Sequence, residues 1–132
     1  MIVGGTFYLH SNLLRNANAD VSAFDLATGK PVFAPMPVGI HHAGCSVAIG
    51  SLSALYYRDW VHVAFDLATR TSAPLTGVTR PSCWPNTLPA AGLVLAPEGS
   101  AYCSCGLSYQ MSFALAPKPG AAGAATREGA TP

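Results

Sequence analysis

Short runs of apolar, β-branched and aromatic residues alternate along the chain with turns that contain glycine or proline. Runs of this length, separated by turn signals, are typical of short β-strands. No stretch of a dozen residues places apolar side chains at the helical period. The pattern predicts strands over residues 1–8, 21–26, 31–33, 46–52, 54–58, 61–67, 92–96, 101–105 and 110–115.

The composition favours an all-β fold. The 132 residues include 13 glycines and 11 prolines, which interrupt helices and mark turns. Half of the residues are hydrophobic and 10% are charged, a balance that excludes a disordered chain. The last segment, 117–132, is rich in glycine, alanine and proline and holds little that can bury apolar surface. We therefore expect an ordered domain over residues 1–116 and a disordered tail after it.

One six-residue segment occurs twice. Residues 23–28 read AFDLAT, and the same six residues recur at 64–69, 41 positions later. This spacing agrees with the roughly 40–50 residues of a four-stranded propeller blade. A weaker third copy, which lacks the aspartate, stands at 112–115 (SFAL).

The polar residues of the repeat have the chemistry of turn formers. Aspartate and threonine side chains accept and donate hydrogen bonds to backbone groups of a tight turn, and glycine supplies the backbone freedom. We expect these residues to form turns and not to act in catalysis: Asp25, Thr28, Gly29, Asp66 and Thr69.

Residues 23–33 (AFDLATGKPVF) resemble the blade repeat of pyrroloquinoline-quinone-type propellers, which reads Ala-x-Asp-x-x-Thr-Gly-Lys-x-x-Trp. Phe33 stands at the position of the tryptophan. The second copy, near 64–74, has Arg70 at the glycine position and no matching aromatic residue. The resemblance implies two to three blades of a β-propeller, each a four-stranded antiparallel sheet. A closed propeller needs about four to eight blades, so the expected partners include the remaining blades of a longer parent chain.

The stretch from 44 to 117 also resembles the C-terminal segment of bacterial proteins with these repeats, as found in planctomycete-type bacteria. The resemblance rests on the order of short marks, among them Arg80-Pro81-Ser82-Cys83, Pro97 and Cys103-Ser104-Cys105. Members are described as quinone-like repeat proteins or as similar to outer-membrane protein assembly-factor propellers. The resemblance implies a fold more firmly than it implies a function.

Four cysteines, Cys45, Cys83, Cys103 and Cys105, occur in this short chain and favour an oxidising compartment. Cys103 and Cys105 are two positions apart on a predicted strand and therefore share a face. We expect each of them to form a disulfide with one of the two earlier cysteines. Buried free thiols and a zinc site made by all four thiolates are the alternatives. Met1 is followed by no basic or apolar leader, so a signal peptide is expected upstream and the location is expected to be periplasmic or extracellular.

Seven basic and six acidic residues give a net charge of +1 and no basic stripe, which argues against nucleic-acid binding. No apolar run approaches the roughly 18 residues needed for a membrane span. The chain contains no recognisable hydrolase, phosphate-loop or zinc-protease motif, and no pair of acids is spaced for acid–base catalysis. Neither a metal nor another cofactor is expected. His62 is expected on the surface of a blade.

Three residues, Arg58, Arg80 and Trp84, are candidates for a binding face on the propeller, where they would hold an anionic or aromatic group. The leading hypothesis is a non-catalytic scaffold or binding module of an exported bacterial protein. Its loops would bind a protein or a polysaccharide. The alternative is a fragment of a quinone-dependent dehydrogenase. Some such enzymes use two cysteines that are adjacent in sequence, and this chain has no such Cys-Cys pair.

Overall fold

The computed structural model describes residues 1–10, 20–37, 47–77, 79, 82, 87–98 and 111–118. These residues contain eleven strands in three antiparallel sheets and no helix, which confirms the all-β class. None of them therefore belongs to a helix long and apolar enough to cross a membrane.

Each sheet pairs its strands in chain order. Sheet 1 contains β1 (Ile2–Val3), β2 (Thr6–His10), β3 (Asp20–Asp25) and β4 (Pro31–Pro37). Sheet 2 contains β5 (Ile49–Gly50), β6 (Ala54–Asp59), β7 (Val61–Asp66) and β8 (Ser72–Pro74). Sheet 3 contains β9 (Leu88–Ala90), β10 (Leu93–Ala96) and β11 (Phe113–Leu115). Sheets 1 and 2 are thus four-stranded meanders, as the sequence predicts.

The strands that carry the repeat begin and end close to their predicted positions, whereas the structure differs from the sequence prediction in two other places. The expected single strand over 1–8 is a hairpin, because Gly4 and Gly5 adopt φ values of 54° and 78° that only a turn uses. Strands β8 and β9 were not predicted, since each is three residues long and contains a proline. The strand expected over 101–105 lies outside the described residues.

The two identical hexapeptides occupy the same place in their sheets, at the end of the third strand and the start of the turn to the fourth. In sheet 1 the Asp25 carboxylate accepts bonds of 2.7 Å from the amide and from the hydroxyl of Thr28. In sheet 2 Asp66 accepts bonds of 2.7 and 3.0 Å from the same two groups of Thr69. We call each of these turns an Asp–Thr corner.

The backbone hydrogen bonds and φ values of the two corners are also equivalent. The amide of the residue after each aspartate donates to the turn between the first two strands, Leu26 to Gly5 and Leu67 to Ser53, both at 2.9 Å. Gly29 and Arg70 hold the left-handed φ values of 69° and 60° at equivalent positions. Arg70, which is not a glycine, is strained at this φ value. Its guanidinium makes a cation–π contact with Phe33 of sheet 1, 4.9 Å from the ring centroid.

Every sheet has two faces, which we name after the repeat. The alanine face carries Ala23 in sheet 1 and Ala64 in sheet 2, and the phenylalanine face carries Phe24 and Phe65, because neighbouring residues of a strand point to opposite sides. The alanine face of sheet 1 packs on the phenylalanine face of sheet 2 and forms the core, whose buried members are Val21, Leu55, Tyr57, Val63 and Phe65. The alanine face of sheet 2 turns toward sheet 3.

The register moves the third copy of the repeat by two residues, from 112–115 to 114–117. Phe24 lies opposite the second residue of β2, and Phe65 lies opposite the second residue of β6. In sheet 3 the second residue of β10 lies opposite Leu115, not opposite Phe113. Ala114 is therefore the repeat's alanine, and Ala116 stands where the other copies have aspartate.

Replacing Asp66 by alanine removes the acceptor of the bonds that close the second corner. We expect the free energy of unfolding, measured by urea titration at neutral pH, to fall by about 1 kcal/mol. Asp66→Asn keeps an acceptor oxygen and should lose less. The bonds from the Thr69 amide and hydroxyl lower the pKa of Asp66, so their stabilisation is present above the ordinary carboxyl pKa and is lost as the pH falls through the lowered value. An Asp66→Ala protein as stable as the parent would contradict a structural role for the corner.

Candidate functional site

A group of buried polar side chains lies between sheets 2 and 3. Arg58 and His62 stand directly opposite each other on the alanine face of sheet 2, and each is 1% exposed. The His62 Nδ1 is 2.9 Å from the hydroxyl of Thr87, which is fully buried. From sheet 3, Phe113 meets the imidazole edge-on, with ring centroids 5.2 Å apart at 88°. Ser82 is buried as well.

These positions correct two sequence-based expectations. His62 was expected on a blade surface and Arg58 on an open binding face, yet both lie in the interior. The reason is that sheet 2 is covered on both sides, by sheet 1 and by sheet 3. A strand covered on both faces cannot be recognised by alternation, because its polar positions are buried too.

Within the described part of the chain, the Arg58 guanidinium has no hydrogen-bond partner at Nε, Nη1 or Nη2. Asp59, its neighbour in β6, points to the opposite face of the sheet. The carboxylates of Asp25 and Asp66 are held by their corners, and hydrogen bonds from Thr28 and Thr69 keep the pKa of each below its ordinary value. Arg58 is therefore a buried cation that no described carboxylate neutralises.

A cleft of 760 Å³ opens between sheets 2 and 3 at the end where the corners lie. Its lining is mainly apolar: Leu52, Tyr56, Leu75, Pro89, Ala90, Leu93, Val94, Leu115, Ala116 and Pro117, with Ser51, Ser53, Ala91 and Gly92. The aromatic ring of Tyr56, on the alanine face of sheet 2, is the largest side chain that lines it. Leu52 at its edge is 79% exposed.

The cleft coincides with the position where the third corner would be. Pro117 follows Ala116 as Leu26 follows Asp25, but proline has no amide hydrogen to donate. The bond that Leu26 makes to Gly5, and Leu67 to Ser53, therefore has no counterpart from Pro117 to Gly92. Sheet 3 also lacks the carboxylate that closes the other corners, and Gly92, Ala116 and Pro117 line the resulting opening.

The contact between sheets 1 and 2 contains one titratable pair. The His10 ring lies 4.8 Å from the ring of Tyr57, and burial lowers the histidine pKa to about 4. The Tyr57 hydroxyl donates to the Ser72 Oγ at 2.8 Å, and burial raises the pKa of this phenol. His10 is thus neutral in the folded protein at neutral pH.

The structure does not test the remaining candidates from the sequence. Arg80 and Trp84, expected beside Arg58, lie outside the described residues, as do Cys45, Cys83, Cys103 and Cys105. The described part of the chain holds no group of three histidine, cysteine or acidic side chains arranged for a metal ion. The cleft had no sequence signal of its own, since its lining residues come from several distant turns and strands.

Comparison with protein-family models, with curated proteins and with solved structures finds no match to this chain.

Replacing Arg58 by methionine removes a buried charge and keeps a side chain of similar length. We expect the free energy of unfolding to rise by about 2 kcal/mol, because the desolvation of a cation that no described residue neutralises disfavours the folded state. Urea titration measures the change. Arg58→Lys, which keeps the charge, should show no gain. A methionine variant less stable than the parent would mean that Arg58 is neutralised when the chain folds in solution.

The lowered pKa of His10 predicts an acid-sensitive stability. The unfolded chain binds the proton near pH 6.5 and the folded chain only near pH 4, so stability is lost as the pH falls between these values. From about pH 8 to about pH 4.5 the parent should lose about 2 kcal/mol more than His10→Phe, which keeps a ring against Tyr57. Equal losses in the two proteins, measured by urea titration at each pH, would contradict this assignment.

Proposed function

We propose that the chain is a non-catalytic protein-binding module built from consecutive blades of a β-propeller. The architecture is supported by the two equivalent four-stranded meanders, their matching Asp–Thr corners and the coverage of sheet 2 on both faces. Face-to-face packing of successive meanders with corners at one end is the arrangement expected for neighbouring blades. An exported location, periplasmic or extracellular, remains part of the proposal and rests on the four cysteines.

The single observation that carries the binding function is the apolar cleft between sheets 2 and 3. A concave site of several hundred Å³ with mainly apolar walls is typical of binding pockets. The loops and turns of a stacked-sheet scaffold are where such proteins place their ligand sites. Here the cleft lies at the turn end and is formed by the two turns Ser51–Ser53 and Ala91–Gly92 together with strand ends.

The lining of the cleft favours a protein over a polysaccharide. Leucine, valine and proline side chains remove apolar surface of a partner from water, which stabilises binding by about 25 cal/mol per Å². A sugar ring would instead require several hydrogen-bonding side chains, and the hydroxyls at the cleft are those of Tyr56, Ser51 and Ser53. Leu52, exposed at the edge, extends the apolar surface outward. We infer that an apolar side chain of an extended peptide segment enters the cleft.

The test fills the cleft. Ala90 is exposed at the cleft, and Ala90→Trp should occupy it; Ala27→Trp places the same ring on an exposed corner away from it. Peptides selected by phage display against the parent should carry a large apolar residue, and Ala90→Trp should weaken their binding at least about tenfold. Ala27→Trp should bind them like the parent. Binding is measured by isothermal titration calorimetry.

Two outcomes would overturn the proposal. One is a selection that enriches no peptide, or only peptides that bind Ala90→Trp and the parent equally well. The other is a saturable change in the near-ultraviolet absorbance of pyrroloquinoline quinone when it is added to the parent with calcium. That change would favour the quinone-dependent dehydrogenase instead.

A further inference from the structure

The phenylalanine face of sheet 1 is open where its counterpart in sheet 2 is closed. Leu9 and Tyr57 are the fourth residues of β2 and β6, yet Leu9 is 48% exposed and Tyr57 only 1%. Ile2, opposite Phe7 on the same face, is 60% exposed. The rings of Phe7 and Phe24 lie side by side on this face with centroids 6.5 Å apart. In sheet 2 the equivalent surface is covered by the alanine face of the sheet before it.

The alanine face of sheet 3, at the other end of the stack, is also exposed. Ala23 of sheet 1 is fully buried under sheet 2, whereas Ala114, the same position of the repeat, is exposed. Ala114 lies opposite Leu95, which occupies the position of Tyr8 and Tyr56 on the other alanine faces. The small residue that allows one sheet to approach the next is therefore present in sheet 3 with no described residue packed closely upon it.

We propose that the open phenylalanine face of sheet 1 is covered by the alanine face of sheet 3 from a second copy of this chain. The contact between sheets 1 and 2 shows what covers such a face, namely the alanine face of an equivalent sheet. Both unsatisfied surfaces belong to the same chain, one at each end of its stack. In two copies arranged head to tail, both exposed faces of both chains are therefore covered.

The stoichiometry of this pair agrees with the proposed architecture. Two chains of three sheets give six, and closed propellers contain about four to eight. A head-to-tail contact joins two different surfaces, so it forms a ring only if the rotation closes. This inference concerns the outer faces of the stack and is independent of the peptide cleft between sheets 2 and 3.

The experiment measures the mass of the purified 132-residue chain by size-exclusion chromatography with light scattering. We expect twice the mass of one chain at micromolar concentration. Leu9→Asp places a charge on the face of sheet 1, and Ala114→Arg places a long cation on the face of sheet 3; each variant alone should be a monomer. Both positions are substantially exposed within one chain, and far-ultraviolet circular dichroism checks that each variant remains folded. Leu52→Asp, in a turn of sheet 2 and 79% exposed, lies on neither outer face of the stack; it is the matched control and should remain a pair.

Mixing the two variants tests the head-to-tail arrangement directly. Leu9→Asp keeps an intact sheet 3 face and Ala114→Arg keeps an intact sheet 1 face, so an equimolar mixture should form pairs again through one contact. A parent chain that is monomeric, or that forms assemblies larger than two copies, would overturn the proposal. So would an Ala114→Arg variant that still pairs, because sheet 1 would then pack against itself. Each of these results leaves the peptide-binding test unaffected.

Discussion

The structure depends on one contact, the packing of the alanine face of one sheet against the phenylalanine face of the next. A sheet of four short strands has little apolar surface of its own and needs a second layer to be stable. Sheet 2 finds that layer in sheet 1, where Leu55, Tyr57 and Phe65 become almost completely buried. Complete burial of an apolar side chain of this size stabilises the fold by about 1.5–3 kcal/mol. The Asp–Thr corners hold strands three and four in the register that this packing requires.

Sheet 2 packs more closely against sheet 1 than against sheet 3. The first contact accounts for most of the apolar burial, and the second contains the proposed peptide site. Toward sheet 1 the contact is mainly apolar. Its polar groups include the hydroxyl of Tyr57, which is bonded to Ser72, and the ring of His10, whose buried Nε2 has no partner among the described residues. Toward sheet 3 the contact contains a cleft at one end and the polar group of Arg58, His62 and Thr87. A buried cation that no described residue neutralises and a cleft between the strand ends both disfavour close association of the sheets. Proteins commonly place binding sites where packing is less complete, and the proposed peptide site lies at the contact of sheet 3.

The sequence predicts what is local and repeated. The aspartate, threonine and glycine of residues 23–29 specify a corner through bonds within six residues, so an identical hexapeptide at 64–69 predicts an equivalent corner. It also predicts the strands on either side, since their apolar runs are long and end at turn signals. The sequence does not reveal the two-sided coverage of sheet 2. Arg58 and His62 look like exposed residues of an alternating strand, and only the position of sheet 3 makes them interior. The cleft escapes prediction for the same reason, because it is formed by turns about 40 residues apart.

The cleft follows from the way in which the third copy departs from the repeat. In the first two copies the aspartate fixes the turn, and the next residue donates its amide to the neighbouring turn, as Leu67 does to Ser53. The third copy has Ala116 and Pro117 at these positions, so it can form neither bond. Its strand still aligns, because Ala114 and Leu115 keep the two-sided pattern that packing needs. The third sheet therefore retains the part of the repeat that builds the stack and loses the part that closes its end. The proposed peptide site at that end requires only these two changes in the corner, with no change in the architecture of the sheets.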